Sequence, residues 1–362
     1  LKKYNGTPVE IFTGDECLSG LSPIQGTELC SVTELMYSYE ILYACTGDQT
    51  WAERLEVVAF NALPATLSDD MWAHQYDQMS NQIACQRFEG EPIFRTNGPD
   101  AHLFGLEPNY GCCTANFNQG WPKFALAAFM HQDDTIVNAF PVPSELRTKE
   151  AQILLETNYP FENSFRYTIS ADRDFIFKIR IPSFAENVLL NGERIASEDI
   201  SIQIKSGEQR ELLVSYTAAC HFEQRPNELY TVKYGSLVFS VPISYEKKMH
   251  EYEKDGVERK FPYCDYEYLP MSDWNYAYAS DEFLIQHQGI SNIPFSSEQP
   301  PIMLQASVRK IDWGLEDGYE TVCAKIPKSR RPISEVEKIR LYPYGCAKLR
   351  MTELPIVISS HD

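Results

Sequence analysis

Glu28, Cys30, Cys112 and Cys113 are the residues whose types and spacing are best suited to chemistry. Glu28-Leu29-Cys30 and the adjacent pair Cys112-Cys113 together offer one carboxylate and three sulfurs. That is the donor number of a tetrahedral zinc site, and zinc accepts both thiolate and carboxylate ligands. Side chains at i and i+2 face the same way in extended backbone, so Glu28 and Cys30 can chelate jointly just ahead of an established helix. Neighbouring cysteines seldom pair with each other, because the small ring strains the peptide between them. They can share a metal at a tight turn, and Gly111-Cys112-Cys113 reads as one. The competing reading is that these sulfurs are small buried hydrophobes. Ten cysteines in 362 residues are too sparse for a disulfide scaffold, so free thiols are expected. Cys220, Cys264, Cys323 and Cys346 are scattered among strand-like segments and read as structural.

The elements that must position these groups change character along the chain. Leu29, Val32, Leu35, Met36, Tyr39 and Leu42 follow helical spacing, which predicts a helix from Glu28 to Ala44 with Gly47 as terminator. A second helix is predicted to begin after Asp48, to carry Trp51, Leu55, Val58, Ala59 and Ala62 on one side, and to stop at Pro64. A third is predicted over Pro122 to His131. The stretch from Leu67 to Tyr110 reads as a polar and aromatic loop region far longer than ordinary connections, a mark of function. Within it Trp72, His74 and Tyr76 suit stacking on or hydrogen bonding to a ligand, although aromatic stripes are more often core, and Asn97-Gly98-Pro99-Asp100 reads as a turn.

After about residue 132 the hydrophobic period becomes that of strands. Phe175, Phe177, Ile179 and Ile181 alternate with Ile176, Lys178 and Arg180, and Asn191-Gly192 supplies a hairpin turn. Further strands are predicted at Ser201 to Lys205, Arg210 to Tyr216 and Tyr230 to Pro242, with Ser206-Gly207-Glu208 as turn chemistry. The expected fold class is α+β and multidomain, helical over 1–131 and a β-sandwich region over 132–362.

Length alone favours two bodies, since 362 residues exceed the usual single-core limit. Hydrophobic residues at 43% and 21 Tyr, 19 Phe and 5 Trp argue against disorder. A net charge of −19 without a basic patch repels phosphate backbones and anionic lipid surfaces, so neither nucleic acid nor membrane is an expected partner. The longest apolar run, Phe124 to Met130, falls far short of the roughly 20 residues of a membrane span. The chain opens at Leu1 without Met, so its true start is expected upstream and targeting signals cannot be read. Reduced thiols lean towards the cytoplasm, and a homodimer is a further expectation.

Several blocks resemble the bacterial β-L-arabinofuranosidases of glycoside hydrolase family 127 and its close relatives. They are Gly14-Asp15-Glu16, Gly26-Thr27-Glu28-Leu29-Cys30, Glu56-Val57-Val58-Ala59-Phe60-Asn61-Ala62 and Tyr110-Gly111-Cys112-Cys113-Thr114-Ala115-Asn116. Downstream, Ile179-Arg180-Ile181-Pro182-Ser183, Leu190-Asn191-Gly192-Glu193 and Tyr344-Gly345 are similar to that family's β-domains. The resemblance implies the later part of an (α/α)6 barrel over 1–131, carrying the site, followed by β-sandwich domains. It also implies a zinc held by Glu28, Cys30, Cys112 and Cys113, with Cys112 as nucleophile, Glu16 as general acid/base, Glu56 on sugar hydroxyls and Tyr76 near the nucleophilic sulfur. Two features depart from the family pattern: a shortened segment between Glu16 and Glu28, and Thr114-Ala115 in place of a Pro-rich pair.

The chemistry agrees with those roles. Retaining glycosidases commonly pair a carboxylate nucleophile with a carboxyl acid/base; here sulfur would replace oxygen, and a metal-bound thiol is ionised outright. Glu16 would need a raised pKa to act as acid and then base, which the aromatic loop region would supply. On residue type alone, Glu16 suits a loop carboxylate or helix cap, and Glu56 suits a solvated group or a partner of Arg54 or a neighbouring strand. The function expected is a retaining exo-glycosidase releasing β-L-arabinofuranose or a related furanosyl end from plant-derived glycans. The alternative is a truncated, non-catalytic carbohydrate-binding or structural zinc protein.

Overall fold

The computed structural model describes residues 1–14, 16–88, 98–105, 110–196 and 199–357. Strands hold far more of these residues than helices do. The helical segments are α1 (Lys2–Asn5), α2 (Leu29–Thr46), α3 (Gln49–Val57), α4 (Leu63–Ala65), α5 (Gly111–Phe117) and α6 (Gly120–Leu126). Among the described residues no helix is long and apolar enough to cross a membrane.

Helix α2 follows the expected periodicity, with Leu29, Val32, Met36 and Tyr39 buried, joined by Thr33 and Tyr43. Leu42, placed on the buried stripe by the sequence, is 38% exposed instead, since the stripe drifts towards Tyr43 in the last turn. Gly47 ends the helix at φ 66° and donates its N–H to the Tyr43 carbonyl, the left-handed cap that glycine adopts without strain. The Asp48 carboxylate caps α3 by accepting the Thr50 N–H at 2.9 Å. The helical run that begins at Gln49 passes through one π-helical turn, Val58–Ala62, and ends at Ala65, one residue past the Pro64 expected to stop it. Asn61 in the π turn locks it in place: its amide donates to the Val57 and Ser236 carbonyls at 2.7 and 2.8 Å and accepts the Val238 N–H at 2.8 Å.

Two expectations near the cysteine pair need correction. Gly111-Cys112-Cys113 is the first turn of α5 rather than an isolated tight turn. The predicted helix to His131 ends at Leu126, and Phe129–Gln132 is a strand paired antiparallel with Thr135–Asn138 across a turn where Asp133 takes φ 52°. The apolar run is shared between a helix end and a strand start, which a periodicity count over the whole run cannot separate.

The segment from Leu67 to Tyr110, expected as loop, is mostly turns and irregular backbone where it is described, with four very short strands set into it; residues 89–97 and 106–109 lie outside the described residues. The predicted turn at 97–100 therefore falls partly outside them. Asp77–Met79 pairs with Gly26–Glu28, Asn81–Gln82 pairs with Arg350–Met351, and His74–Gln75 pairs with Phe104–Gly105, which adjoins Asp265–Pro270. Their partners are distant in sequence, so no local alternation announces them.

The later strands form a six-stranded and a four-stranded sheet around Ser164–Ala171 and Phe175–Arg180, then a ten-stranded sheet. Ala151–Thr157 alternates buried and exposed residues, as a half-buried strand requires. Asn191 and Gly192 turn at φ 51° and 85°, the left-handed pair of a tight hairpin. The two smaller sheets meet where Tyr167 and Phe177 pack edge to face at 5.3 Å, with the Tyr167 hydroxyl donating to Asn138 at 2.7 Å.

Candidate metal centre

Glu28 is placed by strand pairing. Gly26–Glu28 runs antiparallel to Asp77–Met79, with Glu28 opposite Asp77, and the Glu28 N–H donates to the Gly14 carbonyl at 3.0 Å. Extended backbone at Glu28 (φ −62°, ψ 137°) then gives way to α2, so Cys30 stands in the first helical turn. Cys112 and Cys113 stand in the first turn of α5, which packs against α2.

These helix starts bring the four side chains together. One ligand atom from each of Glu28, Cys30, Cys112 and Cys113 lies within 4.8 Å of every other, and the Cys30 and Cys113 sulfurs are 3.4 Å apart. Sulfurs bound at about 2.3 Å on a tetrahedral zinc stand about 3.8 Å apart, so the spacing suits one shared cation. Three sulfurs and one carboxylate are donors that zinc accepts, and these residues fit the ion.

The electrostatics of the protein alone point the same way. The Cys113 thiol hydrogen-bonds Cys30 and holds the Cys30 pKa down to about 5, while giving that bond, together with burial, pushes Cys113 well up. Burial also raises Cys112. Burial, then the Cys30 charge beside it, lifts Glu28 to about 7. Four acids in so small a space support little more than one negative charge among them. A divalent cation removes that limit by letting thiolates and carboxylate ionise together.

The three sulfurs are not equivalent. Cys113 is fully buried. Cys30 is half-buried. Cys112 is exposed.

Around this cluster, Tyr76 is 1% exposed, stacks on Tyr110 at 4.0 Å, and accepts the Leu29 N–H at 2.8 Å on its carbonyl. Its ring is therefore held beside the cluster from both faces of the strand–helix junction. His74, two residues earlier, meets the Thr114 hydroxyl at 2.9 Å. Trp72 is 47% exposed and lies against Tyr263.

Glu16 is exposed rather than enclosed by aromatic rings, on a loop where it takes φ 77°, a left-handed conformation sparsely used by side-chain-bearing residues. That loop is tied to the metal-side strand by the Gly14 N–H donating to the Gly26 carbonyl at 2.9 Å. The Glu16 charge raises the pKa of both Glu28 and Tyr76. A cavity of about 370 Å³ borders it, lined also by Phe12, Leu18, Ser31, Glu34 and Leu35. Asp15 lies outside the described residues.

Glu56 is not brought to this site. It is 0% exposed, ion-paired with Arg180, and accepts the hydroxyls of Tyr159 at 2.7 Å and Ser236 at 3.2 Å. The expected sugar contact gives way to a joint between α3 and the strands, because a helix face that looks solvated in sequence is covered here by the sheet. Asn116 is the converse case: no role was read for it, yet its position four residues after Cys112 and three after Cys113 puts it one helical turn from both.

No protein-family model and no curated protein matches this sequence. Solved structures do. A β-L-arabinofuranosidase of glycoside hydrolase family 127 from Geobacillus stearothermophilus T6 superposes with a TM-score of 0.59 at 16% identity, over 96% of this chain and 52% of that one. A structure described as a glycoside hydrolase gives a TM-score of 0.64 at 16% identity, over 94% and 54%. A β-arabinofuranosidase of family 127 gives 0.56 at 14% identity, over 94% and 51%. The chain spans about half the length of these solved proteins and shares its fold with that half of the family 127 enzymes.

Proposed function

We propose that this chain is the metal-bearing part of a retaining exo-glycosidase that releases β-L-arabinofuranose or a related furanosyl end from plant-derived glycans. The observation that carries this reading is the convergence of Glu28, Cys30, Cys112 and Cys113, with Cys112 the exposed sulfur, on a fold shared with glycoside hydrolases. Zinc bound by these residues would supply the positive charge that keeps the sulfurs ionised at neutral pH.

In the first displacement, the Cys112 sulfur forms a bond to the anomeric carbon as the glycosidic C–O bond breaks, and Glu16 passes its proton to the departing oxygen. In the second, water attacks the same carbon, the C–S bond breaks, and Glu16 takes the proton from that water. Two inversions retain the anomeric configuration. Tyr76, fixed by its stacking on Tyr110 and by the Leu29 N–H on its carbonyl, forms the wall beside the reacting sulfur.

Residues 1–131 are read as the later part of an (α/α)6 barrel and 132–362 as the β-sandwich region. Tyr37, Ile41 and Leu42 support this, since they leave an apolar outer face of α2 at 40, 44 and 38% exposure, a face that neighbouring barrel helices would cover. A purely structural zinc site is the second reading, favoured by the burial of Glu28 and Cys113. The exposure of Cys112 speaks against it, because closed structural sites have no use for an accessible sulfur.

A panel of aryl furanosides and pyranosides, assayed on the full-length protein with metal analysis alongside, separates these readings. Release from a furanoside with about one zinc per chain supports the glycosidase. Stoichiometric zinc without turnover of any member supports the structural site.

A further inference from the structure

We propose that Asn5 is a positioning residue for Glu16: its backbone carbonyl and its side-chain oxygen each take one N–H from Thr13 and Gly20, the two feet of the turn that carries Glu16, and so aim that carboxyl from beside the strand that brings Glu28 to the metal centre. The inference rests on the acid/base reading of Glu16 above and adds the residue that holds it in place.

Donor and acceptor chemistry fixes the polarity of these contacts. The Thr13 N–H donates to the Asn5 carbonyl at 2.8 Å, and the Gly20 N–H donates to the Asn5 Oδ1 at 3.0 Å. A backbone N–H can only donate, so the Asn5 amide turns its oxygen, and not its nitrogen, towards Gly20. The Thr13 hydroxyl closes the same gap from within by donating to the Gly20 carbonyl at 2.5 Å, and the Ser19 N–H donates to the Thr13 carbonyl at 3.3 Å. Thr13 and Gly20, seven residues apart, are thereby tied together at the base of the turn.

The turn needs such a clamp. Glu16 takes φ 77°, a conformation that persists only where the surroundings over-determine it. Gly14 pairs with Leu18 across the turn, and a Cβ on Gly14 would stand 3.0 Å from the Cys17 carbonyl oxygen, so the chain doubles back too tightly for a side chain there. On its other edge Gly14 joins the metal-side strand, its N–H donating to the Gly26 carbonyl and its carbonyl accepting the Glu28 N–H. One foot of the turn is therefore a single hydrogen bond from a metal ligand, and the other, Gly20, is held through Asn5 and Thr13. Asn5 is anchored in turn from the sheet, where Arg225, ion-paired with Glu353 at 3.1 Å, donates to the adjoining Gly6 carbonyl at 2.6 Å. Because Glu16 is exposed, its direction is set by the backbone beneath it rather than by packing on its side chain. A misplacement of about 1 Å at a reacting group costs about 100-fold in rate, so a loosened base of the turn reaches the chemistry.

Furanosides of graded leaving group, assayed on the full-length protein, test this, because a misaimed acid makes the loss of rate depend on how much the leaving group needs a proton. Asn5→Leu removes the side-chain oxygen at similar size and is expected to lower kcat/KM for alkyl furanosides about tenfold while leaving activated aryl furanosides within about twofold. Asn5→Asp keeps an oxygen towards the Gly20 N–H and is expected to stay within about twofold on both. A merely structural role would lower the melting temperature and slow every substrate by the same factor, or none, which overturns the inference. Should Asn5→Leu fail to fold, Thr13→Val, which removes the hydroxyl tie to Gly20, is read by the same rule. If Glu16→Gln shows the leaving-group dependence and these variants do not, the inference alone falls. If the unaltered protein turns over no furanoside, or Glu16→Gln slows all of them equally or not at all, the acid/base reading falls and the inference falls with it.

Discussion

Cys30 and Cys113, 83 residues apart in the chain, hold their sulfurs 3.4 Å from each other across the starts of two packed helices. The contact makes one thiol the hydrogen-bond donor to the other, which is why their pKa values move in opposite directions. A cation bound between them replaces that shared proton.

Removing a ligand should therefore remove the metal. Cys30→Ser and Cys113→Ser are each expected to weaken zinc binding by well over tenfold, on the order of 100-fold, and to lower the melting temperature of the zinc-loaded protein more than that of the metal-free one. Competition with a chromogenic chelator and paired thermal melts measure both. Equal melting temperatures for loaded and metal-free protein would contradict a folded-state site.

Zinc binding should release protons and weaken as the pH falls. Near pH 7 Glu28 is about half protonated, Cys112 and Cys113 are protonated, and Cys30 is ionised, so about two to three protons leave on binding. Calorimetry in buffers of different ionisation enthalpy counts them. In the metal-free protein Glu28 has the opposite sense from an ordinary carboxylate. Its folded pKa of about 7 exceeds its free value of 4.5, so its contribution to stability is present in full below pH 4.5 and is lost as the pH rises through 7. Cys30 has the reverse slope, its pKa being lowered from 9.0 to about 5. Urea midpoints of metal-free Glu28→Gln minus those of the unaltered protein isolate the Glu28 part, and the difference should grow between pH 4.5 and 7.

The acid and nucleophile assignments separate by leaving group. Glu16→Gln is expected to slow alkyl furanosides about 10²- to 10⁴-fold while sparing activated aryl furanosides, whose leaving groups need no proton. Cys112→Ala is expected to abolish both reactions and to prevent covalent trapping by a cyclophellitol-type furanoside. Peptide mass spectrometry locates the label. A label on a carboxylate would sink the thiolate mechanism.

Glu56 and Arg180 should behave as a structural pair. Removing one partner leaves a buried charge uncompensated, so Glu56→Gln or Arg180→Met is expected to cost about 3–5 kcal/mol in urea unfolding. Restoring both as well-packed apolar residues should recover much of that loss. A stable Glu56→Gln with a raised KM alone would instead return Glu56 to the substrate.

What the sequence determined by itself is local. The α2 spacing with Gly47 behind it, the Asp48 cap, the alternation at Phe175–Ile181 and the Asn191-Gly192 turn each depend on backbone preferences and side-chain period over a few residues. So does the pairing of Glu28 with Cys30 at a strand-to-helix transition. Tertiary structure alone decided the rest. It set Cys112 and Cys113 beside Cys30, buried Glu56 against Arg180, and drew short strands from a stretch that reads as loop. Those outcomes depend on which distant surfaces meet, and a periodic pattern shows that a face is to be covered without naming what covers it.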